Sequence, residues 1–210
     1  MEQGVTWLMD QRDSHGWDIK LPGDNFTIFY NKKLRGAVVV SYELTKEQLM
    51  GDSLEARPSW RVDKRLPRCA ASVNADYTGS GYDKGHLASD ASFDKNLAML
   101  KDTYCLSNAV PMARRVNRYY WYKAERLERL MAHRYGEISV KNIVEYEEKP
   151  QSIGECGVAA PKSITKVIEA LDKEASVALR YINVNDKLED DKLRNHIVPI
   201  EKVRIPTQSH

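Results

Sequence analysis

Two apolar runs separated by a short polar turn constrain the fold most. NFTIFYNKK (25–33) is followed by GAVVVSYEL (36–44), both rich in β-branched and aromatic residues, with Asn31–Gly36 supplying the turn. Strands joined so closely pair antiparallel, because a parallel pair needs a crossover of a dozen or more residues. Further runs read as strands: CAASV, TYCLSNAV, ISVKNIVEYEE and ASVALRYINV, with HIVPIEKV as a last short element. APKSITKVIEAL fits either a strand or a short helix. TKEQLMG reads as a short helix capped by Thr45 and stopped by Gly51, and NLAML as a helical turn. One long helix stands out, VNRYYWYKAERLERLMAHRYG, in which Val116, Tyr120, Ala124, Leu127 and Met131 form an apolar stripe and Gly136 is the stop. Strands arriving in runs, without regular βαβ alternation, predict an α+β chain with an antiparallel central sheet flanked by helices.

The 210 residues suit one domain, and an apolar fraction of 42% supplies its core. The longest apolar run, GAVVVSY, is far too short to span a membrane, so no membrane partner is expected. The start MEQGVTWLMDQRD lacks a basic segment followed by an apolar one, which is the pattern of a secretory leader. Cys69, Cys105 and Cys156 show no metal-ligand spacing and read as three buried thiols.

A net charge of +2 names no partner, but its distribution does. ARPSWRVDKRLPR sets Arg57, Arg61, Lys64, Arg65 and Arg68 against the single acid Asp63. ARRVNRYYWYKAER interleaves Arg114, Arg115, Arg118, Lys123 and Arg126 with aromatics. Basic-aromatic stretches on either side of one motif suit a phosphate backbone, although charge runs are also what solvated faces carry.

The motif between them is GYDKGHLASDASF (81–93). An imidazole titrates near neutrality and can take a proton from water, Gly85 permits close approach, and Lys84 and Arg57 can set positive charge near an anion. Alone, the tetrapeptide Asp83–His86 is a weak signal. Asn108 follows in CLSNAVP, and Asn117, Trp121 and Glu125 recur every four residues along the long helix. An amide oxygen and a carboxylate are hard donors that suit Mg2+ with retained waters, while capping and a surface ion pair are the ordinary uses of the same residues. Eight residues of regular helix rise about 12 Å and turn about 80°, so Asn117 and Glu125 cannot both ligate one ion directly. Either the first turn is irregular or Glu125 acts through water; direct ligation by Asn117 alone is the preferred arrangement.

These blocks together resemble the DNA/RNA non-specific endonucleases, the ββα-metal family that includes mitochondrial endonuclease G and secreted bacterial nucleases. Asp83-Lys84-Gly85-His86-Leu87 and Ala91 follow the family signature D-R-G-H except at Lys84. YCLSNAVPMARRVNRYYWYKAERLER places Asn108, Pro111, Asn117, Trp121 and Glu125 in register, with Met112 where a glutamine is usual. ARPSW, DYTGSGYDKGH and VAAPKSITKVIEA extend the likeness over about 26–203, within a single nuclease domain spanning 1–210.

The resemblance implies a ββα-metal site in which His86 is the general base, Arg57 contacts the phosphate, and Asn117 is the sole direct protein ligand of Mg2+, for which Mn2+ can substitute. Glu125 acts through a bound water, and Asn108 holds substrate or site geometry. Lys84, Arg114 and Arg118 join Arg57 in binding substrate, while Asp83, Gly85 and Trp121 are structural. It implies hydrolysis of DNA and RNA through their phosphate backbones to 5′-phosphate ends, with a homodimer and an inhibitor protein as further partners. The compartment implied is periplasmic or secreted, with the leader missing from this sequence, and mitochondrial as the alternative. The competing reading is a relative that binds nucleic acid but no longer cuts, with Lys84 and Met112 as the signs of decay.

Overall fold

The structure is a computed structural model that describes residues 15–170, 175–186 and 191–209. The start of the chain, read above for a leader, lies outside the described residues. In chain order the strands are β1 (Ile19–Leu21), β2 (Thr27–Asn31), β3 (Gly36–Thr45), β4 (Tyr82–His86), β5 (Ala109–Ala113), β6 (Glu137–Glu145), β7 (Ser152–Ile153), β8 (Val158–Ala159), β9 (Ser163–Ala170), β10 (Ala175–Ile182) and β11 (Ile197–Val198). The helices are α1 (Asn74–Tyr77), α2 (Leu97–Thr103) and α3 (Tyr122–Tyr135). α3 is preceded by a π-helical stretch, Val116–Trp121.

Seven strands form one antiparallel sheet in the order β1-β2-β3-β6-β9-β10-β11, as the strand-rich sequence predicts. Period-two alternation divides its side chains. Ala37, Val40, Tyr42, Ile138, Val140, Ile164 and Ile168 face the main core, where they meet Val116, Tyr120, Trp121, Ala124 and Ala132 from the long helix. Val39, Ile143, Val167 and Ala178 face the other side and are covered by Val203, Ile200 and Ile205.

β3 and β6 are neighbours in the sheet, yet the chain between them runs from Lys46 to Gly136. Lys46 N–H donates to the Gly136 carbonyl at 2.7 Å and closes this excursion at its base. The β4–β5 ribbon and the long helix both lie inside it, forming the expected ββα unit.

Several local expectations need adjustment. CAASV is a turn and extended coil, because its Ala70 and Ala71 carbonyls accept from the Tyr30 hydroxyl and the Arg35 guanidinium in place of a neighbouring strand. In TYCLSNAV only the end is strand; Leu106–Asn108 is a 3-10 turn. APKSITKVIEAL resolves as a strand, β9, paired on both sides. TKEQLMG is a single 3-10 turn, with Thr45 and Gln48 bonded reciprocally as a capping box. All three cysteines are free thiols, but only Cys105 is buried; Cys69 is exposed. Among the described residues no helix is long and apolar enough to cross a membrane.

Candidate functional site

β4 carries the tetrapeptide and pairs with β5, setting Asp83 opposite Met112, Lys84 opposite Pro111, Gly85 opposite Val110 and His86 opposite Ala109. Gly85 is required by packing. A Cβ there would lie 2.5 Å from the Met112 Cβ and Cε.

The segment just past His86 is pinned from two directions. Asn108, fully buried, receives the Ala88 N–H at 2.9 Å on its amide oxygen and donates to the Ala88 and Thr103 carbonyls at 3.0 and 2.9 Å. Both ends of its amide are thus engaged within the protein, and its bonds hold site geometry. Asn142 of the central sheet donates to the Leu87 carbonyl at 2.8 Å. Trp121 Nε1 donates to the His86 carbonyl at 3.0 Å, tying the ribbon to the helix.

The His86 ring forms a three-ring cluster with Trp60 and Tyr104, its centroid 4.4 Å from Trp60 and 4.7 Å, edge-on, from Tyr104, whose rings are 5.0 Å apart. Its Nε2 is buried without a hydrogen-bond partner among the described residues. Burial lowers its pKa to about 4; the Asp90 carboxylate opposes that and the Arg57 guanidinium adds to it. The imidazole is therefore neutral at physiological pH, with an uncommitted nitrogen.

Asp90 links this pocket to Arg57. Its carboxylate accepts from the Tyr104 hydroxyl at 2.9 Å and lies 3.1 Å from Arg57 Nε, while Arg57 Nη2 donates to Asp94 at 3.0 Å. Trp60, Tyr104, Asp90 and Asp94 were not selected from the sequence. Trp60 stands three residues beyond Arg57 and Asp90 four beyond His86, but one sequence offers nothing to distinguish them from packing aromatics and surface acids.

A second set of contacts centres on Asp83. Its carboxylate accepts from Asn117 Nδ2 at 3.1 Å and from Arg118 Nε and Nη2 at 2.7 and 2.8 Å, with Arg114 Nε at 3.9 Å. Partial burial works against its ionisation, but the bonds and charge of Arg118, with Asn117 and Arg114, hold its carboxyl below the usual value. An ionised carboxylate only accepts, so the amide nitrogen of Asn117 must face Asp83. Its oxygen is then directed away, and no hydrogen bond to it occurs among the described residues. That suits a hard cation. Asn117 lies in the π-helical stretch, which is the irregular first turn that the helix geometry allowed.

Glu125, two turns on, keeps some surface exposed, yet its packed surroundings push its carboxyl up to about 8; Lys166 opposes this and Glu128 and Asp90 reinforce it. Lys84 stands apart from both sets, its ammonium 5.6 Å from the Tyr77 ring. The structure thus brings His86 and Arg57 together around Asp90, and Asn117, Arg118 and Arg114 together around Asp83. Trp121 joins the two groups. No hydrogen bond links Asn117 to His86 or Glu125 among the described residues, nor do three or more His, Cys, Asp or Glu side chains form a metal-holding group there.

Comparison with known proteins identifies similar chains. The chain is 28% identical over 201 residues to human mitochondrial endonuclease G, covering 89% of this chain and 64% of that protein. It is 29% identical over 160 residues to the human mitochondrial nuclease EXOG, covering 70% and 42%, and 27% identical over 215 residues to mitochondrial nuclease 1 of Schizosaccharomyces pombe, covering 93% and 64%. It thus spans less than two thirds of the length of these relatives. The crystal structure of an EndoG/EndoGI complex, which concerns the mechanism of EndoG inhibition, superposes with a TM-score of 0.77 at 25% identity, covering 89% of this chain and 82% of that one. Residues 18–205 match the family described as DNA/RNA non-specific endonuclease, and the chain belongs to that family.

Proposed function

We propose that the protein is a Mg2+-dependent, sugar-non-specific endonuclease that hydrolyses phosphodiester bonds of DNA and RNA and leaves 5′-phosphate ends. One observation carries this reading: His86 is half-buried and neutral, yet its Nε2, which is shut away from the surface, has no partner among the described residues. A structural histidine would be satisfied there, whereas a general base needs a free nitrogen. In this reading His86 takes the proton of the attacking water, and the 3′-oxygen leaves. Arg57 turns from Asp90 and Asp94 to the phosphate. Asn117 would hold the metal through its amide oxygen, Asp83 fixes the orientation of that amide, and Glu125 would position water near it. A bound Mg2+ or Mn2+ supplies charge stabilisation at the phosphate and the leaving oxygen. Lys84, Arg114 and Arg118 contact phosphates, which carry no sequence information, so cleavage is broad.

The names of the relatives favour a mitochondrial setting over a periplasmic or secreted one. An inhibitor protein comparable to the partner in the EndoG complex, and a homodimer, are further proposals. The test is incubation of plasmid DNA and of RNA with Mg2+, with and without EDTA. Loss of both substrates that EDTA prevents is expected. Gel shifts without cleavage would overturn the enzyme reading in favour of a binding relative.

A further inference from the structure

Beyond Arg118, the outer face of the long helix has no part in the site described above. Between Arg114 and Arg134 the chain carries seven Lys or Arg residues and two acids, Glu125 and Glu128. Glu128 is fully buried and Glu125 packs near Lys166 and Asp90, so neither offsets the outer charge. Arg118, Tyr122 and Arg126 recur every four residues and are exposed, with Tyr119 beside them. The tyrosines are 59% and 50% exposed, which is high for large rings on a well-packed helix. The Arg126 guanidinium lies 5.9 Å from the Tyr122 ring and sets cation and π-face side by side. At the inner end of this stripe Arg118 bonds Asp83, the carboxylate that also holds the Asn117 amide.

We propose that Arg118, Tyr119, Tyr122 and Arg126 form a track for single-stranded nucleic acid, on which unpaired bases stack on the two tyrosines. The proposal rests on the nuclease reading and adds a substrate preference to it. Cations spaced along a helix follow a phosphate backbone. Exposed tyrosines add a contact that any base can make, but only where its face is not covered by its neighbours in a duplex.

The test is fluorescence anisotropy with the full chain carrying His86→Ala, in EDTA, so that the probes survive. Three labelled probes of equal length are used: a mixed-sequence single strand, its duplex, and an abasic strand with phosphates and no bases. Tyr119→Ala/Tyr122→Ala should weaken binding of the mixed single strand about tenfold or more and leave the abasic strand and the duplex unchanged. Tyr119→Phe/Tyr122→Phe should keep the affinity, and Arg126→Ala should weaken all three probes. An equal loss on the abasic strand, or none on the mixed strand, overturns the track while leaving the nuclease reading intact. Failure of the unsubstituted tyrosine protein to bind any probe overturns both.

Discussion

Replacing Lys166 by methionine should destabilise the protein far more than any change at its surface. Lys166 and Glu128 are both fully buried and ion-paired, linking β9 to α3 beneath the site. The Glu128 carboxylate also accepts from the Tyr42 hydroxyl at 3.0 Å and the Ser92 hydroxyl at 2.6 Å, and the Lys166 ammonium lies 4.8 Å from the Trp121 ring. Lys166→Met leaves a carboxylate in a dry interior with two neutral donors and no counter-charge, at a cost of about 3–5 kcal/mol. Glu128→Gln strands the ammonium at a similar cost. The double variant removes both charges, keeps an acceptor oxygen for one of the two hydroxyls of Ser92 and Tyr42, sets an amide NH2 donor against the other, which can accept, and should lose only about 1–2 kcal/mol, because the desolvation of two ions is recovered. The singles are therefore strongly non-additive. Urea unfolding followed by tryptophan fluorescence reads this directly: with a slope of about 2 kcal/mol per molar, each single variant shifts the midpoint by about 2 M and the double by less than about 1 M. A Lys166→Met protein within about 1 kcal/mol of wild type, or a double variant equal to the sum of the singles, would refute the account.

His86→Ala should lower kcat/KM by about 100-fold or more with the fold intact by circular dichroism, and high pH should partly restore it. Because burial lowers His86 to about 4, below its value in the unfolded chain, the base is present above about pH 5. A pH–rate profile should then lose activity only toward pH 4, whereas stability should fall earlier, as pH drops from about 6.5 to about 4, since over that range the unfolded state binds a proton that the folded state does not. Asp83→Asn removes the acceptor-only partner of the Asn117 amide, and metal titration of the rate should show a raised Mg2+ requirement. Gly85→Ala places a Cβ against Met112 and should cost about 1–3 kcal/mol, seen as a lowered Tm.

The large sheet was legible because hairpin spacing and β-branched runs act over a few residues. NFTIFYNKK and GAVVVSYEL became β2 and β3 as expected. CAASV misled because its apolar content serves a coil whose carbonyls are satisfied by side chains of β2 and of the turn that follows it. The same limit applies at the site. His86, Arg57, Asn108, Asn117 and Glu125 could be named from motif register. The bonds that define their surroundings span long separations, as from Asp90 to Tyr104, from Asp94 to Arg57 and from Asn142 to Leu87. Side chains of these types occur throughout the chain, and only the closed excursion between β3 and β6 selects which of them meet.

The π-helical stretch shows how local backbone can settle what residue spacing leaves open. On a regular helix Asn117 and Glu125 stand about 12 Å apart along the axis. Bonding from i to i+5 puts more residues into each turn, which shortens that rise and rotates Asn117 relative to Glu125. The same widened turn accompanies the bonds from Asn117 and Arg118 to one carboxylate, Asp83, while Trp121, at its far end, still reaches the His86 carbonyl. Neither the tyrosine pair nor the single arginine in VNRYYW announces a π turn, since the apolar stripe of Val116, Tyr120 and Ala124 fits a regular helix equally well. The irregularity is accounted for by its tertiary bonds: three side chains within five residues must satisfy two partners on β4, and an unbroken α-helical register would present them at other angles.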